Sequence, residues 1–222
     1  MADDDLQRRR DLIDDLGGEL RALIETAVRT DMSAETLQEL VGEVKRLEDR
    51  FTGMRRKRSH IPDVDVFPGG LRVYSPASGP GNPFAPPLRI EPDAEGVSGR
   101  CTLGVVHEGP PGFAHGGVSA MLLDEMMGWA CYAAGMPAMT ISLDVRYRGP
   151  VPIETPLELR SRITATADRK LSVEARISAE ADPEAVLVSG TGVFVAPDLD
   201  QARALFPGAK GFAAGNRPPT AA

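Results

Sequence analysis

Histidine, cysteine and tryptophan are scarce in this chain of 222 residues, and each scarcity removes a chemistry. His60, His107 and His115 are the only histidines, and Cys101 and Cys131 the only cysteines. They form no C-x-x-C pair and no histidine pair at helical spacing, so no metal site is expected. Cys131 lies in an apolar helical run and reads as a core thiol of a reducing compartment. No apolar run reaches the roughly 20 residues of a membrane helix, so no membrane span is expected. The start, Met1-Ala2-Asp3-Asp4-Asp5-Leu6-Gln7-Arg8, has no apolar signal region, which predicts a cytoplasmic protein. Acidic residues outnumber basic ones by 32 to 25, and a net charge of −7 argues against nucleic acid as a partner.

The pattern divides the chain into three parts: an N-terminal helical extension (1–60), a main domain (61–197), and a short helix with a Gly-, Pro- and Ala-rich tail (198–222). The tail after Pro207 is expected to be disordered. Residues 5–29 place Leu12, Leu16, Leu20, Leu23 and Ala27 along one stripe, interrupted by Gly17-Gly18. A second helix carries Leu37, Leu40, Val41, Val44 and Leu47, with Ser33 as N-cap and Glu35 in its first turn. Neither stripe is broad enough to be a domain alone, so both are expected to pack on the main domain or on a partner chain. Arg55-Arg56-Lys57-Arg58 reads as a solvated linker, followed by an irregular proline-rich stretch over 76–92 in which Leu88–Glu91 is an edge-strand candidate.

The main domain is strongly patterned. Val97–Val106 reads as a strand, closed by Gly109-Pro110-Pro111-Gly112. His115–Ala134 is apolar and long enough for five helical turns. In Thr140–Tyr147, Ile141, Leu143, Val145 and Tyr147 share one side. Leu157, Leu159, Ser161, Ile163 and Ala165 alternate with polar neighbours, as do Leu171, Val173, Ala175 and Ile177, and a last strand covers about 185–196. Period-two alternation predicts an antiparallel sheet with one buried face and the apolar helix covering it. Strand, helix, then four strands is an α+β order.

Between Gly116 and Leu143 only Asp124 and Glu125 are charged, and both fall in the most apolar helix. A carboxylate there needs partners or a task. Helical neighbours point about 100° apart, so the two are not expected to share a site, and Glu125 is read as the structural one. The loop Gly112-Phe113-Ala114-His115-Gly116-Gly117 precedes this helix. Bare N–H groups at a helix start favour developing negative charge, although paired glycines also suit a tight loop into a crowded helix. Gly117 and Asp124 lie about 10 Å apart along the helix, whereas a catalytic group must come within about 3 Å of the atom it serves. Two copies packed antiparallel about a two-fold would bring one chain's glycine amides to the other's Asp124, so a homodimer with composite sites is expected. Ser119 has no activating histidine and no Gly-x-Ser-x-Gly elbow. His107 reads as a surface histidine at a strand end.

His115-Gly116-Gly117, seven residues to Asp124, then sixteen to Thr140, resembles the hotdog-fold acyl-CoA thioesterases, most closely the branch of the phenylacetate-pathway and mitochondrial thioesterase-superfamily members. Tyr147-Arg148-Gly149-Pro150-Val151-Pro152 matches that family's turn, and the resemblance covers about 68–197. It implies a hotdog fold, in which a curved antiparallel sheet wraps one long central helix, paired into a homodimer or a dimer of dimers. It implies hydrolysis of an acyl-CoA to free acid and coenzyme A without metal or redox cofactor. Asp124 would be general base or nucleophile; Gly117 N–H, with Gly116, would polarise the carbonyl. Thr140 would orient water or Asp124, and His115 would hold the loop or contact the thioester. Hydratases of this fold carry a histidine five residues after the aspartate, where this chain has Trp129. A non-catalytic acyl-CoA-binding module is the competing expectation. Arg146, Arg148, Arg169, Lys170 and residues 55–58 are candidates for the CoA phosphates.

Overall fold

A computed structural model describes residues 2–206, apart from 54, 58, 59, 68 and 69. The tail from 207 onward lies outside the described residues. The elements run α1 (Ala2–Arg29), α2 (Ala34–Phe51), β1 (Arg89–Pro92), β2 (Val97–Thr102), a 3₁₀ turn (Val105–His107), α3 (Gly116–Ala133), β3 (Met139–Tyr147), β4 (Pro156–Ala167), β5 (Lys170–Ala179), β6 (Asp182–Val195) and α4 (Leu199–Leu205).

All six strands pair antiparallel in one sheet of order β1-β2-β4-β5-β6-β3. The alternation fixes which face is buried. Leu157 and Leu159 on β4, and Leu171, Val173, Ala175 and Ile177 on β5, point inward onto α3. From the helix, Leu122, Leu123, Met126, Met127 and Cys131 are fully enclosed. Each such large side chain contributes about 1.5–3 kcal/mol through removal from water. Burial pushes the Cys101 and Cys131 thiols up to about 12, so both stay protonated at neutral pH.

The strand expected over 97–106 is shorter, since Gly104 leads into the 3₁₀ turn instead. A β-bulge between Thr140 and Ser142 also departs from the expected alternation of β3. Ile141 is the extra residue and stands 60% exposed, not inward beside Leu143 and Val145. A bulge shifts the pleat by one residue. Thr140 thereby pairs with the buried Phe194 and joins the inner face, which strict alternation would deny it.

α1 docks on the main domain through a face that keeps only Leu20 of the expected stripe. Leu12, Leu16 and Leu23 face solvent, while Ile13, Gly17, Leu20, Arg21 and Ile24 form the partly or fully buried side. The reason is a close backbone approach. A Cβ on Gly17 would lie 2.1 Å from the Pro80 carbonyl oxygen, and Ile13 seats against Gly81. Arg21 donates to the Pro80 and Asn82 carbonyls at 2.7 and 3.1 Å, and Arg10 to that of Val64 at 2.9 Å. The proline-rich segment is therefore a packed strap, with Val73, Ala77 and Ala85 buried, not a loose linker. Arg56 lies over the Tyr74 ring at 4.7 Å. α2 has the expected N-cap, Ser33 Oγ accepting from Thr36 N–H at 3.3 Å, yet none of its residues is buried.

Candidate active site

α3 begins where the chain changes from loop to helix at His115, its N-cap. The His115 Nδ1 accepts the Gly117 N–H at 3.0 Å, which places the ring proton on Nε2. Gly117 N–H, a candidate carbonyl donor by sequence, is thus committed to the cap. The neighbouring Gly116 N–H has no hydrogen-bond partner among the described residues. Tyr147 Oη donates to the Gly116 carbonyl at 2.9 Å and holds that peptide from β3. An unpaired amide at a helix N-terminus, backed by the helix dipole, suits a developing oxyanion.

Asp124 sits two turns further along, half-buried, and accepts the Thr140 hydroxyl at 2.7 Å. The bulge in β3 brings these two together. Glu125 points elsewhere: it receives Ser75 Oγ at 3.2 Å, Ser78 Oγ, and Trp129 Nε1 at 3.4 Å. It ties the strap to α3, consistent with the 100° rotation between neighbours. Ser119 is buried inside the core. Within one chain Gly116 and Asp124 are eight residues apart, about 12 Å of helix rise.

The loop before α3 is braced from below. His115 N–H donates to the His107 carbonyl at 2.8 Å, and Ala114 N–H to that of Val151 at 2.8 Å. His107 is not the surface residue expected: it is only 7% exposed, with Nε2 donating to Phe84 O at 3.0 Å and its ring beside that of Phe84. The 3₁₀ turn carrying His107 is in turn capped from α1. Glu25 accepts the Val105 and Val106 N–H groups at 3.1 and 3.3 Å and pairs with Arg29, which also reaches Glu154. Burial pushes the Glu25 pKa up, but the Arg29 hydrogen bond, the two amides and the Arg29 charge together hold it below its ordinary value. A Cβ on Gly104 would lie 2.5 Å from Glu25 Oε2, so only glycine admits this carboxylate. Sequence reading passed over Glu25 and the anchoring role of Tyr147. Nothing singles out Glu25 among 32 acidic residues until α1 is docked.

The thioesterase superfamily model matches residues 111–186, which span this loop, α3, β3, β4, β5 and the start of β6. A crystallised thioesterase superfamily protein is 30% identical and superimposes with a TM-score of 0.69, over 82% of this chain and 94% of its own. The chain belongs to the thioesterase superfamily. Its fold is the hotdog, with six strands in an open antiparallel sheet around α3 and a helical N-terminal extension. Because Arg89–Val195 is under half of the chain, the likeness to that superfamily member extends into the flanking segments. Human acyl-coenzyme A thioesterase THEM5 is 32% identical over 94 residues, and rat acyl-coenzyme A thioesterase THEM4 is 30% identical over 94. Each alignment covers 42% of this chain and 38% or 40% of the relative, so the chain matches well under half the length of these curated thioesterases. No helix among the described residues is long and apolar enough to cross a membrane.

Proposed function

We propose that this chain is an acyl-CoA thioesterase, hydrolysing an acyl-CoA thioester to free acid and coenzyme A. The observation that carries the reading is the Asp124 carboxylate, half-buried in an apolar helix and oriented by Thr140 at 2.7 Å. A fixed, polar-anchored carboxylate has no evident packing task there, unlike Glu125.

In the reaction, water adds to the thioester carbonyl and Asp124 takes its proton. The carbonyl oxygen becomes an oxyanion facing the Gly116 N–H, with His115 capping the loop through Gly117. Collapse breaks the C–S bond, and the proton held by Asp124 passes to the departing thiolate, giving acid and CoA thiol. If Asp124 attacks instead, an anhydride forms and water then cleaves it. Label from ¹⁸O-water found in the Asp124 carboxylate after a single turnover marks attack by Asp124, since direct addition of water to the thioester leaves none there. Neither route asks for a metal or redox cofactor.

The 12 Å of helix rise between Gly116 and Asp124 exceeds the reach of one thioester carbon, so each site is composite, with Gly116 from one copy and Asp124 from another. The free edge of β3, with Met139, Ile141 and Tyr147 exposed, is a ready surface for that second copy. The working assembly is a homodimer or a dimer of dimers, and its compartment the cytoplasm.

Thiol release from a panel of acyl-CoAs tests the reading. Wild type is expected to turn over at least one substrate, and Asp124→Asn and Asp124→Ala to lose on the order of 10²-fold or more in kcat. Glu125→Gln is expected to lower stability with kcat nearly unchanged. Binding without thiol release in wild type would overturn hydrolysis in favour of a binding module. Turnover that survives loss of Asp124 would overturn the site.

A further inference from the structure

We propose that α2 is an assembly helix that pairs antiparallel with α2 of a second copy of this chain. The inference does not depend on the reaction proposed above. Leu37, Val44 and Phe51 recur every seven residues, and Leu40 and Leu47 fill the alternate positions three residues on, which is the spacing of a two-helix seam. All five, with Val41 beside them, are exposed, and none of α2 is buried. Most helical stability in proteins comes from packing of an apolar face, and this face has nothing packed on it among the described residues. The outward residues of α1 lack such a seam, since Glu19 interrupts Leu12, Leu16 and Leu23.

Charge selects the partner and its direction. From 31 to 43 the only charges are Asp31, Glu35, Glu39 and Glu43. From 45 to 57 come Lys45, Arg46, Arg50, Arg55, Arg56 and Lys57 against Glu48 and Asp49. A parallel pair would set acid beside acid and base beside base. An antiparallel pair sets each acidic half against a basic half, and the same segment supplies both. With the two-fold level with Gly42, Leu37 of one copy meets Leu47 of the other and Leu40 meets Val44. If β3 edges already join two copies, the helix pair either reinforces that dimer through high effective concentration or joins two such dimers.

Cysteine cross-linking tests the pairing in the full chain. Both native thiols are buried, so engineered thiols report alone. Oxidised Leu40→Cys/Val44→Cys is expected to run as a covalent dimer on a non-reducing gel. Leu37→Cys is expected to stay monomeric there, because the two copies of residue 37 lie about 15 Å apart along the pair. Glu35→Lys/Glu39→Lys/Glu43→Lys, which reverses the acidic half, is expected to slow cross-linking of the Leu40→Cys/Val44→Cys protein several-fold. Leu37→Cys joining to itself would mean a parallel pair. Absence of the covalent dimer would mean a different occupant for the stripe. Unchanged cross-linking in the triple lysine variant would remove charge as the selector. Each of these overturns the proposal.

Discussion

α1 and α2 are consecutive amphipathic helices joined by four residues, yet one is bolted to the main domain and the other is not. The better seam belongs to the undocked helix. What α1 has instead is a glycine that lets its backbone touch the strap, and Arg10, Arg21 and Glu25, whose side chains reach fixed carbonyls and amides. An apolar stripe states that a helix has something to cover. Close approach and paired polar groups decide where it is covered, and here they also link α1 to the loop that carries His115 and Gly116.

The largest expected effect on this contrast comes from a matched pair of glycine substitutions. Gly17→Ala drives a methyl into the Pro80 carbonyl, and is expected to cost about 3 kcal/mol, near the top of the overpacking range. Gly42→Ala meets only the Arg46 guanidinium at 3.6 Å, and is expected to add roughly 0.5–1 kcal/mol of helix stability. Denaturant unfolding with circular dichroism gives both signs. Equal responses at the two sites would erase the distinction between docked and undocked.

Next in size is Glu25→Ala, which leaves two amides of the 3₁₀ turn without their acceptor and is expected to cost about 1–2 kcal/mol. A several-fold fall in kcat, with Leu40→Glu/Val44→Glu as a control lacking such a fall at fixed oligomer concentration, would show that only α1 braces the loop. The contribution of Glu25 also depends on pH. Its folded pKa lies below the ordinary 4.5, so the unfolded state binds the proton more tightly. The stabilisation is full above about 4.5 and fades as pH falls through the lowered folded value. Unfolding at pH 7 should therefore separate wild type from Glu25→Gln, and unfolding at pH 3 should bring them together. A gap that widens in acid would refute the assignment.

The smallest effect is expected from Ser33→Ala, about 0.5–1 kcal/mol, confined to α2. Helix content should fall while the main unfolding midpoint stays in place. A shifted midpoint would mean that α2 is coupled to the main domain after all.

Much of the sheet was legible because alternation over β4 and β5 is a local property of residues two apart. The length and apolarity of α3 were legible for the same reason, as was the separation of Asp124 from Glu125. Thr140 is different. Its strand is readable, but its side of the strand depends on one extra residue at Ile141, and an extra residue leaves no mark on composition. His107 looked like a surface residue because only the packed strap, through Phe84, covers it.

From sequence alone follow an α+β fold with one buried sheet face, an apolar central helix with a single candidate site carboxylate, and a glycine pair at that helix's start. These rest on periodicity and spacing, which act between residues close in the chain. Tertiary structure decided that Gly117 N–H caps against His115 while Gly116 N–H has no partner among the described residues. It also decided that a bulge delivers Thr140 to Asp124, and that α1 docks by the face centred on Gly17. Each of those depends on atoms brought together from distant segments, where a shift of one residue or a single missing Cβ changes the outcome.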